Sequence, residues 1–399
     1  MKLYDKLFYV GILILSALFL FVGNIIASGN SYEPANEFEI PYYTSVVTEI
    51  VERVETDGVW GWGTDTDINI TFNARITGSG RRGDIVTAQQ SLPSFVTVNE
   101  REIEVGDRVL LAYVNGTYHF ANYVRINSIA ILGVVFLALV LLFGRKKGFS
   151  AVVALGFTCM AVFLVFIPAI LSGRNIYITT IIICIFAIVS TLLIVIGPNK
   201  KALSAMLGCL GGVLLAGFLM LIMDTALSLT GALDIETESL VHLPIPVDLR
   251  ALIFAGVILG AVGAIMDVAM SISSSLWELK ESGGVSDFGS ILKSGVNIGK
   301  DILGTMLNTL ILAYIGSSLS LILLISVHTT SLMELFSMEM IIVEFLRALV
   351  GSFGMLLTIP LTAVICGWLY ASFTGEEDDE SDFAIQHKPM NEKSERNVT

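Results

Sequence analysis

Residues Leu252 to Trp277 read LIFAGVILGAVGAIMDVAMSISSSLW, and Asp267 is the one ionisable side chain among them. A run of this length can cross the ~30 Å hydrocarbon core of a bilayer as a helix. A carboxylate well inside such a helix costs about 2.5 to 3.5 kcal/mol on insertion scales, so it needs a partner or a water-filled cavity. Helical spacing tells which residues share its flank. Gly256, Gly260 and Gly263 precede Asp267, and Ser271, Ser274 and Glu278 follow at steps of three or four. The small and polar stripe faces protein or water. It predicts a polytopic membrane protein with a polar seam.

The remainder of the chain has a matching composition. Hydrophobic residues make up 54% and charged residues 15%, with a mean hydropathy of +0.78, whereas a soluble domain carries about 25% charged residues. The formal net charge of -13 gathers in Glu376 to Asp382 and in the segment after the first apolar run. Nucleic acid is therefore not an expected partner, and the lipid bilayer is.

Apolar runs of about 17 to 25 residues predict a mainly α membrane protein with about eight transmembrane helices. They cover Leu7 to Ala27, Ile126 to Phe143, Phe149 to Leu171, Ile176 to Ile196, Leu203 to Leu227, Ala251 to Ser273, Ile302 to Val327 and Leu346 to Phe373. The first is read as an anchor, because its apolar core exceeds the roughly 7 to 15 residues of a signal peptide. Lysine and arginine in the short loops set the orientation. Starting from an inside N-terminus, Arg145, Lys146, Lys147, Lys200, Lys201, Lys280, Lys293 and Lys300 all fall on the cytoplasmic side. Both termini are then cytoplasmic. The predicted order is an anchor at 1–27, an extracytoplasmic β domain at 28–125, a seven-helix bundle at 126–373 and an acidic, disordered tail at 374–399.

Between the first two spans, Tyr43 to Val54, Ile68 to Ile76, Asp84 to Gln89 and Arg108 to Val114 are rich in Val, Ile, Thr and Tyr. Asn115-Gly116, a strong hairpin signal, joins the last of these to Tyr118 to Val124. About five short strands predict a barrel or sandwich. Gly78 to Gly83 matches G-x-G-x-x-G, but a strand-like run follows it where phosphate binding needs a helix, so a hairpin turn is expected. Arg82-Gly83-Asp84 is an adhesion tripeptide that occurs often by chance, and the glycosylation acceptor triplets at Asn69 and Asn115 matter only in a eukaryotic secretory pathway.

Cys159, Cys184, Cys209 and Cys366 lie inside spans without paired spacing, and the four histidines are scattered, so neither a disulfide framework nor a metal site is implied. No cofactor motif occurs. Asp224 and Asp267 are formally available as an intramembrane aspartyl dyad, although its geometry is not readable from spacing, and the expectation is a non-enzyme. Chemistry concentrates in spans five to seven. Ala205, Gly208, Gly212 and Ala216 form a small-residue stripe suited to close helix packing, as do Gly256, Gly260 and Gly263. Asp301, Thr305 and Asn308 share one face of the seventh span. They either satisfy each other across an interface or line one pathway with Asp267, Ser271, Ser274 and Glu278.

Several stretches carry a resemblance. Gly144-Arg-Lys-Lys-Gly148, Asn199-Lys-Lys-Ala202, Asp248-Leu-Arg250 through Ser274, and Ser294-Gly-Val-Asn-Ile-Gly-Lys-Asp301 into Thr309 and Leu312-Ala-Tyr314 are similar to the YibE/F family of bacterial multi-spanning membrane proteins. The resemblance implies a multi-pass plasma membrane protein of Gram-positive type and supplies no activity or assigned site. The acidic tail departs from it.

Pro168 and Pro360 are expected to kink their helices. Ser331 to Arg347, with Glu334, Glu339 and Glu344 among apolar residues, reads as an interfacial amphipathic helix. Lys280 to Lys300 reads as a gate-like loop with a short capped helix. Two functions fit: a transporter or channel for an unknown small molecule or ion, or a membrane-anchored sensor or assembly protein using the β domain. A homo-oligomer or a complex with a related membrane subunit is compatible with either.

Overall fold

The computed structural model describes residues 3–29, 40–57, 66–78, 81–92, 101–233, 235–284, 287–328 and 331–371. The acidic tail expected at 374–399 lies outside them. The chain divides into two compact units, Met1–Tyr32 with Gly144–Thr399, and Glu33–Phe143.

In the second unit the β-branched and aromatic runs form β1 (Tyr42–Asp57), β2 (Thr66–Ile76), β3 (Ile85–Leu92), β4 (Arg108–Val114) and β5 (Thr117–Tyr123). They close a barrel in the order β1-β2-β3-β5-β4. Closure falls to β1, whose register shifts at Val47/Glu49 and Ile50/Glu52 while its first residues pair with β4. Extra residues of this kind bend a strand and strengthen its twist. Alternation fills the interior with Val47, Phe72, Ala74, Ala88, Val109 and Leu111. Asn115 and Gly116 have φ of 52° and 89°, as a two-residue type I′ turn requires. The buried Gln90 ties down the segment before β4, donating to Arg101 O at 3.2 Å and accepting from Ile103 N at 3.1 Å. At the rim, Arg53 grips Glu102 with two bonds of 2.8 Å and holds that carboxyl below its usual pKa. With a core of its own and no cysteine, residues 33–125 expressed alone should fold without metal or disulfide. A circular dichroism spectrum dominated by helix, or by disorder, would contradict this.

The helices are α1 (Leu3–Ser28), α2 (Ile126–Ala161), α3 (Ile167–Leu171), α4 (Ile176–Val195), α5 (Lys200–Leu227), α6 (Ile235–Ser239), α7 (Leu249–Glu281), α8 (Phe288–Ser317), α9 (Leu319–His328), α10 (Leu332–Leu335) and α11 (Glu339–Ala371). Seven helical stretches among the described residues are long and apolar enough to cross a membrane, one of them the 46 residues Ile126–Leu171. At 1.5 Å per residue that stretch is about twice as long as one crossing needs. It breaks at Arg145, whose φ of 47° and ψ of -123° are not helical. The break falls in the basic loop expected between spans two and three, which leaves eight segments of crossing length. The first half, Ile126–Phe143, groups with the barrel unit and not with the 126–373 bundle expected from sequence.

Three boundaries differ from expectation. The seventh span begins at Phe288, not Ile302, because Asp287 caps a continuous helix by accepting from Ser290 N at 2.9 Å. Its apolar run does not continue to Val327 as one helix, since a break at Ser318 separates α8 from α9. The amphipathic helix expected over Ser331 to Arg347 is mostly the first turns of α11, preceded by the four-residue α10. Pro360 sits inside α11, and a π turn over Val162–Phe166 precedes Pro168. Asn24 of α1 donates to Leu164 O in that π turn at 2.6 Å.

Small residues set the bundle's geometry. A Cβ on Gly208 or Gly212 of α5 would overlap Thr362 or Thr358 of α11, and one on Gly354 of α11 would stand 2.7 Å from Ile265 of α7. Three helices thus meet at backbone distance. Near the last turns of α7 and α11, the hydroxyls of Ser204, Ser273 and Tyr370 form a buried ring with separations of 2.6, 2.8 and 2.8 Å. Lys280 Nζ donates to Tyr370 O at 2.6 Å beside it.

Candidate functional site

Helix α7 turns the stripe of Gly256, Gly260, Gly263 and Asp267 outward from its packed face: all four are exposed, Ser271 and Ser274 half-buried and Glu278 exposed. Gly260 and Gly256 are approached from two helices. A Cβ on Gly260 would stand 2.8 Å from Tyr314 Oη of α8, and one on Gly256 would be 3.8 Å from Arg347 Nη2 of α11. Gly263 departs from the packing expectation, because a Cβ there would meet nothing within 4 Å.

Farther along the same pair of helices, Gly295 of α8 lies against Leu276 of α7, where a Cβ would stand 3.0 Å from Leu276 Cδ1. Interpolating between this contact and that of Tyr314 brings Asp267 level with Thr305, and Ser271 level with Asp301. Asp301, Thr305 and Asn308 are all exposed. Thr305 donates only to its own helix, to Ile302 O at 3.0 Å. The predicted polar residues therefore stand at matching levels on exposed faces of α7 and α8, and no hydrogen bond joins them across an interface among the described residues. Asp224 stands apart. Ser204 of α5 touches Ser273 of α7, and counting up α5 from the level of Asp267 to Asp224 gives roughly 20 Å at 1.5 Å per residue. The two carboxylates cannot share a proton.

At the end where α7 and α11 begin lies a cavity of about 550 Å³ lined by Gly231, Leu252, Gly256, Met340, Glu344 and Arg347, among others. Gly231 has a φ of +88°, and a Cβ there would overlap Leu249. Its N–H donates to Glu339 Oε1 at 2.6 Å, and Thr230 donates to the same carboxylate through N–H and hydroxyl at 2.8 and 2.7 Å. The loop is thereby fastened to the start of α11. Inside the cavity Arg347 Nη1 donates to Glu344 Oε1 at 2.7 Å, with side-chain exposures of 28% and 19%. Glu344 Oε2, Arg347 Nε and Tyr314 Oη are buried with no hydrogen-bond partner among the described residues. Each such atom costs about 1–3 kcal/mol, more when charged. Two further grooves border α1 and α4: one is lined almost wholly by aliphatic and aromatic side chains, and the other adds Arg174, Asn175 and Thr179.

The model of the YibE/F-like protein family matches residues 132–372. The chain belongs to the YibE/F-like family. That match takes in α7, α8 and the cavity of this YibE/F-like chain, and leaves the barrel outside it. No curated protein and no solved structure matches the chain.

The sequence did not single out Arg347 and Glu344. Their signal was present: an arginine three residues after a glutamate, on the leading edge of an apolar run long enough to span. Interleaved glutamates at 334 and 339 made the segment look interfacial instead.

Proposed function

We propose that this YibE/F-like protein is a transporter or channel of the bacterial plasma membrane, with both termini cytoplasmic. In this reading a small polar solute or ion enters from the outside at the Glu344–Arg347 cavity and passes along the α7–α8 groove beside Asp267. The observation that carries it is the part-buried Glu344–Arg347 ion pair lining a cavity in an apolar bundle, toward one end of the two helices whose exposed faces carry Asp267, Asp301, Thr305 and Asn308. Ionisable groups at membrane depth mark solute and ion pathways because hydrocarbon does not tolerate them without such a purpose. The lysine distribution supports the orientation.

Single cysteines at Asp267, Thr305 and Asn308, in a cysteine-free background in native membranes, should react with a small, membrane-impermeant thiol reagent. Cysteines at Leu214 and Phe218, exposed on the apolar surface of α5, should not. A cysteine at Lys293 should react only when the inner face is open to the reagent. Groove positions as unreactive as those on α5 would reject the conduit. A second reading, a sensor working through the barrel, is favoured by a surface pocket of about 390 Å³ where Arg101, Arg108 and Arg125 surround Tyr123. Deleting the barrel separates the two: a conduit retains flux, whereas a sensor loses its response.

A further inference from the structure

The cavity is lined by two groups of opposite charge. Glu344 Oε1 accepts from Arg347 Nη1, while Arg347 Nη2, which would be 3.8 Å from a Cβ on the cavity-lining Gly256, makes no hydrogen bond with the described residues. A simple anion placed there gains Arg347 but faces the Glu344 carboxylate, and a simple cation gains Glu344 but faces the guanidinium. Either also adds net charge to a low-dielectric site, which is costly. A zwitterion avoids both penalties: its ammonium donates to the Glu344 carboxylate, its carboxylate accepts from the Arg347 guanidinium, and the total charge is unchanged. Apart from Thr237 and two glycines, the rest of the lining is apolar, with Leu252, Ile253, Leu259, Leu321 and Met340 around the pair. The volume of about 550 Å³ is in the range of small-molecule sites, roughly 300–1,000 Å³.

We infer that the cavity binds a small zwitterion with an apolar side chain, the chemistry of a neutral α-amino acid. The inference names the solute class for the transport reading above, and rests on it for the site's role. Two charged groups at a fixed spacing recognise a ligand by requiring both halves, and a ligand with one half leaves a buried charge opposed.

The test uses the purified full-length protein in lipid nanodiscs. Thermal unfolding is followed with leucine, methionine and phenylalanine, and with the half-molecules 4-methylpentanoate, which lacks the ammonium, and 3-methylbutylamine, which lacks the carboxylate. At least one amino acid should raise the melting temperature by several degrees at saturation. Its half-molecules should need at least tenfold higher concentration. Glu344→Gln should weaken amino-acid binding at least tenfold and shift preference toward 4-methylpentanoate, and Arg347→Gln should shift it toward the amine. Should Arg347→Gln fail to fold, the half-molecule comparison on the unaltered chain still decides. Equal binding of a half-molecule and its parent amino acid overturns the inference, and so does the absence of any shift with all three amino acids. If the groove cysteines react in that case, the conduit stands and only the solute class falls. Binding with unreactive groove cysteines keeps the zwitterion site and removes the conduit.

Discussion

Replacing Gly212 by valine is expected to prevent the bundle from assembling. A Cβ at this position would fall on Thr358 Oγ1 and stand 3.1 Å from Ile265 Cγ2. Thr358 cannot swing aside cheaply, because it is buried and donates to Gly354 O at 2.7 Å. Ile265 is fully buried against Gly354, where a Cβ would stand only 2.7 Å from it, so α5, α7 and α11 would all have to move. Overpacking a filled core costs about 1–3 kcal/mol per site and occasionally more, and three helices in backbone contact place this substitution at or beyond the upper end. The expected readout is loss of monodisperse protein on size exclusion after detergent extraction. Gly263→Val is the control: that glycine faces open space and should yield folded protein. Equal yields for the two would refute the close-packing account of α5.

The second large effect is on transport. Asp267→Asn should abolish flux, or its dependence on a cation gradient, while leaving the melting temperature unchanged. Asp267 is exposed and makes no hydrogen bond or ion pair with the described residues, so no helix contact depends on its charge. The amide keeps the shape and removes only what a passing cation or proton would meet. Had the carboxylate held α7 to α8, breaking a buried pair would cost about 3–5 kcal/mol. Flux in liposomes and thermal unfolding in detergent check the two halves separately. A mutant with normal flux would remove the charge-dependent pathway, and one with normal flux per folded molecule but a lowered melting temperature would make Asp267 a structural residue.

Much of this was legible in the chain. The strands were, because period-two alternation and Asn115-Gly116 are local signals that tertiary contacts here reinforce. The polar stripe on α7 was legible too, since helical spacing alone groups Gly256, Gly260, Gly263 and Asp267. The start of α8 was not. Lys293, Asn297 and Lys300 interrupt the hydropathy there, yet they point outward from a helix whose other side, at Ile291, Gly295 and Gly299, is fully buried. Nor was the break at Ser318, which no proline or charge announces. Glu344 and Arg347 escaped notice because their meaning depends on residues more than a hundred positions away. Glu339 fixes the start of α11 only by gripping Thr230 and Gly231.

The burial of α8 is lopsided, and this has a mechanical corollary. Its fully buried positions, Ile291, Gly295 and Gly299, all lie in its first half, where Gly295 and Gly299 would overlap α11 if they carried a Cβ. Beyond them no residue up to Ser317 is fully buried. The helix is a lever clamped near one end, close to the hydroxyl ring that stiffens the helices it rests on. From Gly299 to Tyr314 the free arm is about 22 Å long at 1.5 Å per residue, so a tilt of only about 10° at the clamp would carry the Tyr314 end through about 4 Å. A movement of that size, started where the backbone is tightest, would lift the tyrosine off Gly260, one turn of α7 from the cavity-lining Gly256.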